Sequence, residues 1–365
     1  NHVKNEIVIL TATSGDTGKA AMAGFADVPG TRILVFYPKG GVSRVQELQM
    51  VTQKGDNTAV IAIQGNFDDA QTGVKKIFGN LEFGKRLAEK GYQLSSANSI
   101  NIGRLIPQVV YYVYAYAKLV QKGTIKNGEE INITVPTGNF GNILAAYYAR
   151  EMGVPIARLI CASNANNVLT DFLRTGIYDR NRTFYNTLSP SMDILISSNL
   201  ERLLFALTGQ DDSQVKEYMA QLGKTGQYHV GEKLKTRLER IFSAGCCGDA
   251  QTRAVIGRMW REHRYLIDPH TAVAFDVLDQ YRRETGDGTP ALVVSTASPF
   301  KFCDSVLESL GETHLAQGTD LIDQLAQVTG VPAPAPLAAL KDKQVRFTQN
   351  VTREHMVDQV LEMLR

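Results

Sequence analysis

Neither charge dominates this chain of 365 residues: 39 Lys and Arg stand against 37 Asp and Glu, for a formal net charge of +2. Without a basic surplus it lacks the electrostatic footprint of a nucleic-acid or membrane-surface binder. No apolar run is long enough to span a bilayer; the best stretch, around 105–120, is interrupted by Gln108 and Lys118. Cysteine is scarce. Cys161, Cys246, Cys247 and Cys303 form no CxxC pair and read as reduced thiols of a cytoplasmic protein. The six histidines are scattered and form no HExxH, so no metal site is expected. No repeat of solenoid period occurs. Apolar residues at 44% and charged residues at 21% are ordinary globular proportions, which argues against wholesale disorder.

What is present is alternation. The chain opens Asn1-His2-Val3-Lys4 and enters the β-branched run 6–10 at once, with no Met and no signal-like preamble. A domain rarely starts on a central strand, so an upstream segment is expected to be missing here. A loop at 11–18, an Ala-rich helix at 19–26 and a strand at 32–37 make a βαβ unit. A strand at 58–63 follows, then a helix to about Phe78 with Asp68 as its cap. From 102 to 120, Ile102, Leu105, Ile106, Val109, Val113 and Tyr116 share one helical face. The polar turn 126–130 precedes a new strand at 131–135, a Gly-rich loop, a helix at 143–152 and a strand at 158–162. Residues 200–265 read as mainly helical and charged. A buried strand is expected at 291–295, an extended Pro-rich linker at 331–336 and a terminal helix from about Thr352. The pattern predicts an α/β protein with open parallel sheets covered by helices, divided into domains 1–128 and 129–365.

In such sheets ligands sit beyond the carboxyl ends of strands, so the loops there carry the functional signal. The first loop, Thr11-Ala12-Thr13-Ser14-Gly15-Asp16-Thr17-Gly18, joins hydroxyls and glycines to a helix N-terminus, a pocket for a carboxylate or phosphate. It is not a Walker motif, because Thr13 and Ala20 break that pattern. The second, Pro136-Thr137-Gly138-Asn139-Phe140-Gly141-Asn142, again runs strand to helix and suits a single phosphate better than a dinucleotide. The third, from Ser95 to Arg104, holds Asn98 and Ser99 at a helix start, where they serve as caps or as ligands. A guanidinium at Arg104, facing the positive end of the dipole, favours a shared anion. The fourth, Ser295-Thr296-Ala297-Ser298-Pro299-Phe300-Lys301, offers a neutral hydroxyl at a strand end. Each loop also reads as an ordinary capped turn. His270, in Asp-Pro-His-Thr, suits acid–base work and a packed imidazole about equally. Tyr111, Tyr112, Tyr114 and Tyr116 suit core packing best, and the Cys246-Cys247 pair reads as incidental.

Five segments together resemble the threonine synthase family, in order and approximate spacing across most of the chain. They are 11–18; Ser-Ala-Asn-Ser-Ile-Asn-Ile-Gly-Arg at 96–104; Val-Pro-Thr-Gly-Asn-Phe-Gly-Asn at 135–142; Asp-Pro-His-Thr-Ala-Val at 268–273; and Thr-Ala-Ser-Pro-Phe-Lys-Phe at 296–302. The match is poorest between about Tyr178 and Arg261. The resemblance implies a pyridoxal 5'-phosphate enzyme of the tryptophan synthase β-like fold (fold type II), with two domains around a cleft, as a monomer or homodimer. It implies that Gly138, Asn139, Phe140, Gly141 and Asn142 cradle the cofactor phosphate, and that Thr296 meets the pyridine nitrogen. Ser14, Gly15, Asp16 and Thr17 would bind the substrate carboxylate, with Asp16 near the cofactor's phenolic oxygen. Asn98, Ser99 and Arg104 would hold the substrate's own phosphate. The implied reaction converts O-phospho-L-homoserine and water to L-threonine and phosphate by γ-elimination and β-addition.

One part of the family pattern is missing. The Schiff-base lysine belongs upstream of 11–18, before Asn1, in a motif resembling Pro-Thr-Leu-Ala-Phe-Lys-Asp. Lys19 starts a helix and Lys301 belongs to the terminal motif, where it is expected to touch an anion; neither replaces it. The stretch 1–365 is therefore expected to be inactive without that lysine. The alternatives are another pyridoxal-phosphate lyase that eliminates at Cβ or Cγ, and a non-catalytic threonine-synthase-like binding protein.

Overall fold

A computed structural model describes residues 5–313 and 316–364. Residues 1–4, with the abrupt opening read from them, lie outside the described residues. The strands are β1 Glu6–Ala12, β2 Thr31–Pro38, β3 Thr58–Ile63, β4 Tyr92–Ser96, β5 Ile131–Pro136, β6 Ile156–Ser163, β7 Ile177–Asp179, β8 Gln227–His229, β9 Phe242–Cys246, β10 Ala291–Val293 and β11 Asn350–Val351. They form a sheet of order β11-β3-β2-β1-β4, a sheet of order β10-β5-β6-β9 and the small pair β7-β8. Every pairing in the two larger sheets is parallel. Parallel neighbours need crossovers, and the intervening helices supply them while covering the apolar faces. Among the described residues, no helix is long and apolar enough to cross a membrane.

The chain separates into two compact units. The first takes residues up to Asn101, adds Pro299–Leu307 and ends with the stretch from Glu312. Its core is the run of β-branched and aromatic residues in β1, β2 and β3: Val8, Leu10, Ile33, Leu34, Val35, Phe36 and Ile63 are wholly buried. Each such side chain contributes about 1.5–3 kcal/mol when removed from water. Helices Asp16–Phe25, Arg44–Val51, Phe67–Gly79 and Leu81–Glu89 cover this sheet. The cap of Phe67–Gly79 is Asn66, not Asp68. Asn66 Oδ1 accepts from Asp69 N, and Asp69 Oδ2 accepts from Asn66 N, both at 3.0 Å. That reciprocal box satisfies two donors where a cap at Asp68 would satisfy one. The tail supplies β11, too short to read from its sequence, and Ala62 N donates to Gln349 O at 3.0 Å to seat it on β3.

The second unit takes Ile102–Ser298 and adds Glu308–Gly311. The sequence boundary at 128/129 thus differs from the division at 101/102, because the residues after 101 pack with helix Gly141–Glu151. The expected single helix over 102–120 is three pieces: Ile102–Leu105, the 3-10 turn Ile106–Gln108 and Val109–Gln121. Pro107 has no N–H to continue the ladder, so the helix tightens there. The change of pitch moves the buried stripe to Leu105, Val109, Tyr112 and Tyr116. Ile102, Ile106 and Val113 turn outward, as do Tyr111 and Tyr114. Beside β6 the core is apolar, with Val273, Ala274 and Val277 of helix Pro269–Thr285 packed on Ile160 and Ala162, whereas one face of β5 buries the polar Asn132 and Thr134. Residues 200–265 are helical apart from β8 and β9. The latter overturns the helical setting expected for the cysteine pair: Cys246 ends β9 and is exposed, while Cys247 is buried against Thr252.

Gly18 sits where helix Asp16–Phe25 meets its sheet, and an added Cβ would lie 2.6 Å from Thr13 Cγ2 and 2.7 Å from Val35 Cγ1. Gly18→Ala is expected to destabilise the protein by about 1–3 kcal/mol despite alanine's higher helix propensity, read as a lower urea midpoint at unchanged m-value. The thiols divide equally clearly. Burial pushes Cys161, Cys247 and Cys303 up to about 12, so at pH 8 they are protonated as well as covered. A chromogenic disulfide reagent is expected to modify Cys246 alone in the folded protein and three further thiols after unfolding; fast reaction of a second thiol in the native state would contradict this packing.

Candidate active-site loops

In the first unit, β1 and β4 are parallel neighbours, so the loops after them leave the same edge of the sheet. The loop after β1 is braced from within. Buried Thr13 accepts Gly15 N–H at 2.9 Å and Gly18 N–H at 2.8 Å through its hydroxyl. Gly15 adopts φ 129°, where an added Cβ would collide with the Gln46 amide. Only glycine fits that combination of dihedral and contact. Ser14, Asp16 and Thr17 are half-buried. Asp16 Oδ1 accepts from Gln46 Nε2 at 3.1 Å and from Lys301 Nζ at 2.7 Å. Gln46 is itself fixed, since it closes a capping box with Ser43 at the start of helix Arg44–Val51. The anion at Lys301 is thus a carboxylate of the protein.

Asn98 spans the last residue of β1: its Oδ1 accepts Ala12 N–H at 3.0 Å and its Nδ2 donates to Ala12 O at 2.6 Å. This extends the sheet by a side chain and ties the third loop to the first. Ser99 follows it, half-buried, within the same unit. Arg104 belongs to the second unit, in the short helix Ile102–Leu105, and Gln108 Nε2 donates to its carbonyl at 2.9 Å. Surrounding protein lowers the Arg104 guanidinium below its ordinary value, with Tyr111 acting in the opposite direction.

The second unit carries the loop after β5. Thr137 N donates to Ala162 O at 2.8 Å and its hydroxyl donates to Val135 O at 2.7 Å, holding the strand end. An added Cβ at Gly138 would lie 2.5 Å from Ser191 O and 3.3 Å from Met192 Cα, so the loop is pressed against another stretch of backbone. Gly138 O accepts from Ser197 Oγ at 2.9 Å. Asn139 O accepts from Asn199 Nδ2 at 2.9 Å, and Asn139 Oδ1 accepts from Ser198 Oγ at 3.1 Å. Phe140 takes the left-handed conformation, φ 62°, and precedes helix Gly141–Glu151 with no side-chain cap. Its ring is buried and packs on Phe242 at 5.8 Å between centroids, which offsets the cost of that conformation. Tyr112 OH donates to Asn142 Oδ1 and lies 3.1 Å from Asn142 O; burial raises its phenol.

This loop fits a phosphate. Its carbonyls at 138 and 139 are turned to protein donors, a Cβ would spoil its seat, and the first-turn N–H groups of Gly141–Glu151 have neither a side-chain cap nor an i−4 partner. Thr296 lies just beyond β10, exposed. The structure thus gathers the sequence-marked residues into two groups: Ser14, Gly15, Asp16, Thr17, Asn98 and Ser99 in the first unit, and Arg104, 138–142 and Thr296 in the second.

Sequence reasoning missed the segment 187–199, which shelves the phosphate-type loop. Asp193 accepts from Asn164 Nδ2 at 2.7 Å, Asn166 Nδ2 at 2.9 Å and Thr187 Oγ1 at 2.7 Å, and burial raises its carboxyl. Tyr178, stacked on Tyr228 at 5.2 Å, accepts Ser197 N–H at 2.9 Å and donates to Leu195 O at 3.0 Å. A signal was available: Asn164-Ala165-Asn166-Asn167 follows β6, at another strand's carboxyl end. Among the described residues, no group of three His, Cys, Asp or Glu side chains is placed to hold a metal ion.

A family model described as "Threonine synthase, C-terminal" matches residues 271–360. Human threonine synthase-like 1 is 42% identical over 310 residues, covering 83% of this chain and 41% of that protein. Threonine synthase of Pseudomonas aeruginosa is 38% identical over 332 residues, covering 89% of this chain and 67% of that protein. The crystal structure of pyridoxal-phosphate-bound threonine synthase from Brucella melitensis superposes with a TM-score of 0.81 at 38% identity, over 99% of this chain and 71% of that one. The chain therefore spans about two fifths of its synthase-like relative and about two thirds of the synthases. The parallel-sheet α/β architecture is that of fold type II.

If the Tyr178 phenol holds the shelf, Tyr178→Phe leaves Leu195 O and Ser197 N–H unpaired. A loss of about 1–3 kcal/mol is expected, together with faster amide exchange at 137–141. Destabilisation without that local deprotection would show that Tyr178 supports the fold alone.

Proposed function

This chain belongs to the threonine synthase family, and we propose that the intact protein converts O-phospho-L-homoserine and water to L-threonine and phosphate. The observation that carries the reading is the 138–142 loop, a backbone cradle with its carbonyls tied back and an uncapped helix behind it. There Gly138, Asn139, Phe140, Gly141 and Asn142 hold the phosphate of pyridoxal 5'-phosphate. When bound, that cofactor supplies the electron sink that lets protons leave Cα and then Cβ.

The chain's own residues bind and orient. Thr296 offers a neutral hydroxyl to the ring nitrogen and so leaves it unprotonated. Ser14, Gly15, Asp16 and Thr17 receive the substrate carboxylate, with Asp16 set near the cofactor's phenolic oxygen. Gln46 and Lys301 fix the Asp16 rotamer. Ser99 and Arg104 hold the substrate's phosphate, and Asn98 adds the Nδ2–H that Ala12 leaves unused.

Lys19 donates to Gln53, and Lys301 pairs with Asp16. Both amines are engaged, so residues 1–365 by themselves are expected to release no phosphate. The second reading is a non-catalytic threonine-synthase-like binding protein. Phosphate release by the full-length protein decides between them. The synthase reading expects release from O-phospho-L-homoserine and little action on homoserine. Arg104→Ala should lower kcat/KM by about a hundred-fold while leaving cofactor affinity intact. Equal turnover of phosphorylated and unphosphorylated substrate by wild type and variant would point to another eliminating lyase. No turnover at all, with cofactor bound, would establish the binding protein.

A further inference from the structure

The motif Asp268-Pro269-His270-Thr271 lies wholly inside the second unit, and none of the roles above uses it. Asp268 and His270 are 0% and 2% exposed. Asp268 caps helix Pro269–Thr285, accepting His270 N–H at 2.8 Å and Thr271 N–H at 3.4 Å. Capping alone does not require this arrangement, since Ser or Asn caps as well as Asp. Two further arms leave the same carboxylate. One runs to His270 Nδ1, 2.9 Å from Asp268 Oδ1, and on from Nε2 to the N–H of Ser191 at 3.3 Å. A backbone N–H can only donate, so Nε2 accepts and the imidazole proton sits on Nδ1, facing the carboxylate. Ser191 is the residue whose carbonyl presses on Gly138. The other arm runs through the Thr271 hydroxyl, bonded to Asp268 Oδ2, to Ser295 Oγ at 3.1 Å, the residue before Thr296.

We propose that Asp268 is the positioning residue that sets both ends of the cofactor site, the phosphate loop through His270 and Ser191 and the ring-nitrogen hydroxyl through Thr271 and Ser295. One buried carboxylate thereby fixes the separation between two backbone stretches that must grip opposite ends of one rigid ligand. His270 acts as a fixed-tautomer spacer and transfers no proton. The inference rests on the assignment of 138–142 and Thr296 to the cofactor.

Pyridoxine 5'-phosphate and pyridoxine serve as probes, because they differ only in the phosphate and carry no aldehyde to react with lysines. Affinities for both are measured by calorimetry on the chain and three variants, with melting temperatures alongside. His270→Phe is expected to weaken pyridoxine 5'-phosphate by about ten-fold while changing pyridoxine less than about two-fold. Thr271→Val should weaken both probes alike, and Asp268→Ser, which keeps the helix cap, should show both losses. His270→Phe losing both probes in one common proportion, with the losses of all three variants following their melting temperatures, would overturn the proposal in favour of plain fold support. Wild-type protein with no preference for the phosphorylated probe would instead remove the cofactor reading on which it stands, and the proposal with it. Should a variant fail to fold, the 15N spectrum of histidine-labelled wild type still decides: neutral His270 protonated at Nδ1 supports the proposal, and protonation at Nε2 overturns it.

Discussion

A helix N-terminus can receive an anion only if the polypeptide leading into it turns its carbonyls elsewhere, and that requirement organises the second unit. The N–H groups at the start of Gly141–Glu151 point forward, so the carbonyls of Gly138 and Asn139 point back and need donors. Ser197 and Asn199 provide them. The donors sit on an irregular segment that carries unsatisfied polarity of its own, and so the demand passes inward. Tyr178 takes up Leu195 O and Ser197 N–H, Asp193 gathers Asn164, Asn166 and Thr187, and His270 receives Ser191 N–H. Each layer satisfies polar groups that the layer above it would otherwise bury unpaired, at about 1–3 kcal/mol apiece.

This explains why an α/β core holds so many buried polar side chains. Asn164, Asn166, Ser189, Asp193, Asp268, His270 and Thr271 are each at most 5% exposed. Such a network is costly when half satisfied and rigid when complete. Rigidity is what a loop closing on a ligand by backbone alone needs, since it has no side chain with which to adjust.

The first unit meets a similar problem differently. Its loop after β1 braces itself: Thr13 receives two amides of its own turn, and Asn98 extends the sheet across Ala12. Charge then fixes what hydrogen bonding leaves loose. Lys301 comes from 285 residues downstream to Asp16, within the segment Pro299–Leu307 that returns to this unit. The pair is partly exposed, and its value lies less in stability than in holding one rotamer of a carboxylate at the mouth of a loop.

Much of this was legible in the residues. β-branched runs such as 6–10 and 131–135 admit little but buried parallel strands, and Gly, Ser, Thr and Asn clustered after them mark loops that need special dihedrals or free amides. Local chemistry fixed those elements because their driving forces act over a few residues. The division at 101/102, the outward turn of Ile102 and Ile106, the cap at Asn66 and the return of 299–307 were not legible. Neither was the shelf at 187–199, whose residues are unremarkable until Gly138 rests on them. Composition and order settled an α/β chain of parallel strands with loops rich in Gly, Ser, Thr and Asn after them. Which distant groups satisfy those loops depended on folding, because a buried carbonyl or amide takes whatever partner the packed chain brings within 3 Å, and sequence separation carries no information about that.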